Sequence, residues 1–266
     1  MEGPKDQPIA KYFKRSIKMW LQALHFIFLF LQVMVGWKFL IIGLEVKPDV
    51  ALKLGLTDAD RKIYPYLTVW NLVFHIIYVG ICVSEDFVRA NSGPNKLSVF
   101  KMNLQKYRSL MFESIVFPGS LVVCAAYWTL MLMDPLYLFP GPIEDLVPAW
   151  INFFIHSGVG IFAIGELMLR SPIPFSSPSK HHVGIGIGVM LLYGVTTCFH
   201  YFSTKKWIYP FLELLSWPQR LCVFILVILT GVFFCVLGSF IRGILFGTTA
   251  KKTKRSSRKT QRKKTK

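Results

Sequence analysis

Six long apolar blocks constrain the fold of this chain more than any other feature. They cover residues 19–44, 66–84, 110–133, 149–169, 183–202 and 221–246. A helix needs about 20 apolar residues to cross a bilayer, and each block is close to or above that length. A transmembrane barrel would instead show short strands of alternating polarity. The pattern therefore predicts an all-α, polytopic membrane protein with six transmembrane helices in one bundle.

The blocks predict three parts of the 266-residue chain. These are a cytosolic leader over residues 1–18, a six-helix transmembrane domain over residues 19–246 and a basic, disordered tail over residues 247–266. The first block is longer than the roughly 7–15 apolar residues of a signal peptide, and no small-residue cleavage site closes it. It is therefore predicted to remain in the protein as a span.

Basic residues between the blocks predict the orientation of the helices. The segments on the side of the two termini carry 22 of the 31 Lys and Arg residues, whereas the opposite segments carry six. Cytosolic loops are enriched in Lys and Arg. Both termini are therefore predicted to lie in the cytosol.

Ten of these basic residues crowd the tail between Lys251 and Lys266. They indicate a solvated segment, an address, or a surface for anionic lipids worth roughly 1 kcal/mol per basic residue. The final KKTK resembles the dilysine signal for retrieval to the endoplasmic reticulum. The endoplasmic reticulum and the plasma membrane are the candidate locations. Nucleic acid is not an expected partner, because no folded domain would present the charge.

Other short patterns indicate packing and no bound group. The five cysteines all fall within the apolar blocks and lack metal-ligand spacing, so we expect no disulfide framework, metal or cofactor. The glycine-rich GIGIGV of residues 184–189 follows no strand, so it predicts close helix packing and not a phosphate loop. Glu166 and Arg242 lie near block ends, where long side chains are expected to reach the interface.

One histidine lies deep inside the fourth block, in the segment WINFFIHSGVGIF. His156 follows Pro148 by ~12 Å of helix, well inside a hydrocarbon core ~30 Å thick. Asn152 precedes it by four residues and so shares its face of the helix. A hydrogen bond between helices would explain this histidine, and so would a catalytic base, since imidazole titrates near neutrality.

Thr68 opens the second block in IYPYLTVWNLVFH, and Asn71 follows on the same face. A helix threonine usually bonds its own backbone, and its alcohol becomes a nucleophile only where a base takes its proton. Under the predicted topology the depths of Thr68 and His156 differ by ~4–7 Å, about one helical turn. Helix tilt can absorb that difference, so contact is allowed.

Four segments together carry a family resemblance. They are IYPYLTVWNLVFHIIYVGICV, FPGSLVVCAAYWTLMLMDPLYLFP, VPAWINFFIHSGVGIFAIGE and KKWIYPFLELL. In order and spacing they resemble the androgen-induced and androgen-dependent TFPI-regulating proteins. The resemblance covers residues 64–238; the first span matches only in character and the tail not at all. Phe153 stands where the family often has a second histidine, and residues 200–207 form a longer segment than in relatives.

The resemblance implies an activity and two site residues. Members of the family resemble intramembrane threonine hydrolases that split fatty acid esters of hydroxy fatty acids. Thr68 stands at the position of the nucleophile and His156 at that of the histidine. Asn71 and Asn152 also match family positions, without a definite role; we expect one of them to contact the oxyanion or the substrate. A lipid ester from the bilayer is the implied partner, and no metal or cofactor is implied.

Two other classes of protein remain open at this point. A lipid-binding or regulatory membrane protein would use the same apolar bundle without a reaction. A transporter could use His156 as a proton relay, although the sequence lacks the paired broken helices of many transporters.

Overall fold

The computed structural model describes residues 7–45, 65–91, 99–138, 147–169 and 180–264, and these residues form six helices without a strand among them. The helices are α1 over Gln7–Glu45, α2 over Leu67–Asn91, α3 over Val99–Met133, α4 over residues 149–169, α5 over Lys180–Thr204 and α6 over Trp217–Lys264. Short 3₁₀ turns at Pro135–Tyr137 and Pro210–Leu214 interrupt two of the connections.

The helices confirm an all-α polytopic membrane protein. Five segments are long and apolar enough to cross a bilayer: Leu67–Asn91, Val99–Met133, Ala149–Met168, His181–Thr204 and Trp217–Leu245. The apolar part of α1 described in the structure, Gln22–Lys38, makes it the sixth candidate. Large apolar side chains cover the outside of the bundle, as a lipid solvent requires; examples are Phe199, Leu226 and Leu229.

The first and last helices both run beyond the apolar blocks. α1 begins at Gln7, within the predicted leader. α6 continues to Lys264, where the sequence predicts a disordered tail over residues 247–266. Lys and Arg are good helix formers, so a helix that starts in the apolar span can continue into the basic segment. The division of the chain into leader, transmembrane domain and tail stays a prediction.

Two helices contain a π-helical turn inside the bundle. In α3 it covers Phe112–Val116, and in α4 it covers Phe154–Gly158. A π turn inserts one residue and rotates the helix face that follows, and such turns are frequent at functional sites. The turn in α4 carries His156.

Close contacts hold α5 against α3. A Cβ atom on Gly186 would lie 2.7 Å from the carbonyl oxygen of Ser114, which belongs to the π turn of α3. Only glycine lets the two backbones come this close. The packing role predicted for the GIGIGV segment is therefore confirmed at Gly186.

Two charged side chains near the ends of the spans lie largely inside the bundle, contrary to the expected interfacial positions. Glu166 is 3% exposed and its Oε2 atom lies 3.2 Å from Nε2 of His25. Arg242 donates to Glu113. The expectation that Glu166 and Arg242 reach the interface was wrong, because each has an oppositely charged partner on another helix, and pairing lowers the cost of burial.

Candidate active site

Thr68 lies in the first turn of α2, just after Pro65 and Tyr66 turn the chain into the helix. Its side chain is half-buried and lines a cavity between the helices. Helix N-terminal N–H groups have no partners within the helix, so this turn combines a hydroxyl with backbone donors. The N–H groups of Leu67, Val69 and Trp70 are bonded, whereas that of Thr68 has no partner among the described residues.

His156 reaches Thr68 from the π turn of α4. Its Nε2 atom lies 3.2 Å from Oγ1 of Thr68, although 88 residues separate the two in sequence. The side chain is 7% exposed and lines the same cavity. The difference in depth between Thr68 and His156 that the sequence suggested does not keep the two side chains apart in the folded bundle. The structure therefore brings the two predicted catalytic residues into contact.

Asn152 fixes the other nitrogen of the imidazole. His156 Nδ1 lies 2.9 Å from Oδ1 and 3.0 Å from the backbone oxygen of Asn152. Both oxygens are acceptors, so Nδ1 carries the proton and donates it to them. Nε2 of the neutral ring then has its lone pair directed at Thr68, which is the arrangement that a general base requires.

Tyr127 of α3 completes the support of the imidazole. Its ring stacks on His156 with a centroid separation of 3.7 Å and an interplanar angle of 11°. Its hydroxyl accepts a hydrogen bond of 2.5 Å from Nδ2 of Asn152. Because the amide nitrogen of Asn152 donates to Tyr127, the amide oxygen faces His156. Sequence spacing placed Asn152 beside His156 but gave no signal for Tyr127.

Asn71 occupies a different environment. It is buried and does not line the cavity, and its amide atoms have no hydrogen-bond partner among the described residues. A Cβ atom on Gly119 would lie 3.2 Å from its Oδ1 atom, so Asn71 packs against α3. The structure thus joins Thr68, His156 and Asn152 and leaves Asn71 apart. The expected oxyanion or substrate contacts of Asn71 and Asn152 stay predictions.

The cavity beside the Thr68–His156 pair has a volume of about 590 Å³. This volume is within the usual range of ~300–1,000 Å³ for small-molecule sites. The walls come from α3, α5, α6, the start of α2, His156 of α4, Leu138 and the segment 209–212. They are almost entirely apolar; Leu130, Leu191, Phe202 and Val227 are examples. The few polar groups at the wall include Thr68 and His156. Such a cavity suits a long apolar chain that presents one polar group to the pair.

Among the described residues, one group could hold a metal ion. Ligand atoms of His25, Cys82 and Glu166 all lie within 4.8 Å of one another, and the three residues are buried. His25 is already placed between two carboxylates, with Nε2 3.2 Å from Glu166 and Nδ1 3.7 Å from Asp86. An imidazolium between carboxylates accounts for this cluster as an ion pair. Cys82 of this cluster lies 14 residues beyond Thr68 along α2, ~21 Å of helix, so the cluster takes no part in the site.

A comparison with known protein families shows which family this chain matches. Residues 50–243 match the FAR-17a/AIG1-like proteins. The chain belongs to this family. The matched segment contains Thr68, Asn152 and His156, whereas His25 precedes it. The family resemblance identified from the sequence is therefore confirmed.

Three curated members of the FAR-17a/AIG1-like family show how distant the relatives are. The chain is 30% identical to androgen-dependent TFPI-regulating protein of Mesocricetus auratus over 190 residues, 70% of this chain and 76% of the relative. It is 28% identical to the Homo sapiens protein of that name over 177 residues, 66% of this chain and 72% of the relative. Identity to androgen-induced gene 1 protein of Homo sapiens is 26% over 191 residues, 70% of this chain and 78% of the relative. No solved structure matches the chain.

Proposed function

We propose that this family member is an intramembrane hydrolase that cleaves lipid esters with Thr68 as nucleophile and His156 as base. The 3.2 Å contact between Thr68 Oγ1 and His156 Nε2, at the wall of an apolar cavity, carries the proposal. A threonine alcohol needs such a base to become a nucleophile. Asn152 and Tyr127 hold the base in the neutral tautomer that can accept the proton.

The reaction forms an acyl-threonine in its first half. His156 Nε2 takes the Thr68 proton while Oγ1 attacks the ester carbonyl carbon, whose oxygen becomes an oxyanion. The imidazolium then gives this proton to the leaving alkoxide as the ester C–O bond breaks. A hydroxylated lipid leaves, and the acyl group remains on Thr68. A well-placed base of this kind contributes about 10²–10⁴-fold to the rate.

Water completes the second half of the reaction. His156 removes a proton from water as the water oxygen attacks the acyl carbonyl. The proton returns to Thr68 Oγ1 as the acyl–oxygen bond breaks, and a free fatty acid is released. Asn152 serves here as a positioning residue, because its Oδ1 atom accepts from Nδ1 of His156 throughout. This role resembles that of the asparagine in Cys-His-Asn proteases.

The substrate class follows from the cavity and the family resemblance. We propose fatty acid esters of hydroxy fatty acids, which enter from the bilayer and lay an acyl chain against the apolar walls. The protein is proposed to reside in the endoplasmic reticulum or plasma membrane, with both termini in the cytosol. The basic segment beyond Lys251 is proposed to contact anionic lipids.

The test compares wild type with Thr68→Ala and His156→Ala in membranes at matched expression. The measurement is the release of hydroxy fatty acid from a branched fatty acid ester. We expect hydrolysis by wild type and a loss of about 10²–10⁴-fold in both variants. Two matched changes serve as controls. Thr196→Ala removes a hydroxyl bonded to its own helix, and His181→Ala removes an exposed imidazole. Both controls should keep wild-type activity.

An inert wild type, or variants as active as wild type, would contradict the proposal. Binding of an ether analogue of the substrate should survive Thr68→Ala, because the cavity walls are unchanged. Binding without any hydrolysis in wild type would instead favour a lipid-binding protein. The apolar cavity alone is consistent with that function.

A further inference from the structure

Tyr209 connects the segment between α5 and α6 to the catalytic threonine. Its hydroxyl accepts a hydrogen bond of 3.2 Å from the backbone N–H of Leu67, the residue before Thr68. The phenol therefore contacts the residue next to the proposed nucleophile. Tyr209 and Thr68 both line the cavity. The contact thus brings a distant part of the chain to the reacting end of α2.

Tyr209 is the acceptor in its hydrogen bonds with the described residues. The hydroxyl accepts a second hydrogen bond, also of 3.2 Å, from the hydroxyl of Tyr193. A phenol has one proton to donate. Among the described residues, no acceptor receives the proton of Tyr209. Accepting two hydrogen bonds polarises the O–H group and makes it a stronger donor.

The segment that carries Tyr209 is held in place by its own contacts. The backbone N–H of Trp207 donates to Glu213 at 2.9 Å, and Nε of Arg220 donates to the Leu212 carbonyl at 2.9 Å. The guanidinium of Arg220 also lies over the Trp207 ring at 4.8 Å. A donor fixed in this way stabilises developing charge without reorganising during the reaction.

The proposed hydrolysis needs hydrogen-bond donors at the cavity wall, and neither Asn71 nor Asn152 lines the cavity. One N–H of the Asn152 amide donates to Tyr127, and its oxygen accepts from His156. The backbone N–H of Thr68 is in the first turn of α2 and has no partner among the described residues. Nucleophile amides often supply one oxyanion donor in hydrolases of this type. A second donor from the cavity wall would complete the pair.

We infer that Tyr209 donates its hydroxyl proton as a hydrogen bond to the oxyanion formed when Thr68 attacks the ester. This inference rests on the proposed hydrolase function. Tyr209 transfers no proton: the O–H bond stays intact, and the negative charge on the carbonyl oxygen is stabilised and then returns to the C=O bond. Burial raises the pKa of Tyr209 above its ordinary value, so the phenol remains protonated at neutral pH.

Replacement of Tyr209 by phenylalanine tests the inference. Tyr209→Phe keeps the ring and removes the hydroxyl, which is the proposed donor and also the acceptor for Leu67 and Tyr193. We expect kcat to fall by about 10²–10³-fold, while KM and the affinity for an ether analogue change by less than about twofold. Tyr193→Phe, which removes the hydroxyl that donates to Tyr209, should lower kcat by about tenfold or less. Tyr201→Phe is the matched control, since Tyr201 stacks on Trp207 away from the cavity.

The outcomes separate this inference from the proposed function. If wild type hydrolyses the ester, Thr68→Ala does not, and Tyr209→Phe keeps kcat within about threefold, the oxyanion role is wrong and the hydrolase stands. If Tyr209→Phe loses analogue binding and thermal stability along with activity, the phenol is structural and the inference is equally wrong. If wild type is inert, the hydrolase proposal fails and this inference fails with it.

Discussion

Two buried histidines in one bundle have different partners. His156 is supported by the uncharged amide of Asn152 and the ring of Tyr127, beside the cavity. His25 lies between the carboxylates of Glu166 and Asp86, inside the packed helices. Both are less than a tenth exposed, so burial alone does not distinguish them.

The partner decides what each ring can do. Two carboxylates favour an imidazolium whose nitrogens both donate, and such a ring has no lone pair for a substrate proton. An amide oxygen accepts one N–H and leaves the ring neutral, with Nε2 free to act as a base. The comparison teaches that a histidine in a membrane bundle is a catalytic candidate when its second partner is neutral and a cavity lies in front of it.

The largest expected effect is on activity at His156. His156→Gln keeps a polar side chain but removes the base, so hydrolysis should fall by about 10²–10⁴-fold. The free energy of unfolding should fall by about 1–2 kcal/mol, since hydrogen bonds but no buried charge lose a partner. Ester hydrolysis and denaturant unfolding in the same detergent measure the two quantities. A stability loss as large as the activity loss would remove the distinction between the two histidines.

The opposite result is expected at the His25 cluster. Glu166→Gln leaves a buried imidazolium with one carboxylate fewer, which should lower the free energy of unfolding by about 3–5 kcal/mol. Activity per folded molecule should stay at the wild-type level. The double variant His25→Leu with Glu166→Leu removes both charges, so it should regain much of the lost stability. A double variant as unstable as the single one would contradict the ion-pair account.

Asn152→Asp makes the environment of His156 resemble that of His25. A carboxylate beside Nδ1 favours the protonated ring, so the acidic limb of the pH–activity profile should move up by about one to three pH units. The sign follows from linkage, since a ring that holds its proton more tightly becomes a base only at higher pH. Asn152→Leu should lower activity without moving the limb. An unmoved limb in Asn152→Asp would show that this contact does not govern the base.

Two tyrosine changes should give the smallest effects, one at each histidine. Tyr127→Phe keeps the stacking but removes the acceptor for Asn152, so kcat should fall by about three- to tenfold. Tyr78→Phe removes the donor to Oε1 of Glu166, so it should cost about 1–2 kcal/mol of stability and leave kcat unchanged. Kinetics and unfolding of both variants measure the contrast. Equal effects on kcat and on stability in both variants would contradict the contrast between the two histidines.

The sequence pointed to a candidate pair because polar residues are rare and costly within lipid. Thr68 and His156 could be selected on that ground, and helical spacing placed Asn152 beside His156. Spacing does not determine which amide atom faces a neighbour. That choice depends on Tyr127, which approaches from another helix and carries no periodic signal. The π turn that carries His156 likewise has no signature in composition.

Glu166 shows the limit of reasoning from position along a span. Its place near the end of a block suggested the interface, but its burial depends on His25 in a helix 141 residues away. The contact of Tyr209 with Leu67 has no sequence signal for a related reason, since Tyr209 lies outside the spans and its segment turns back towards α2. Long-range partners of this kind come from the packing of helices and not from any local pattern.

The most direct test of the account is the site of covalent modification by a fluorophosphonate probe. Purified wild type and the His156→Ala variant would be treated and digested, and the modified peptide identified by mass spectrometry. The account predicts one adduct on Thr68 in wild type, greatly reduced without His156. An adduct on another residue, or equal labelling of Thr68 without His156, would contradict the claim that His156 makes this threonine a nucleophile.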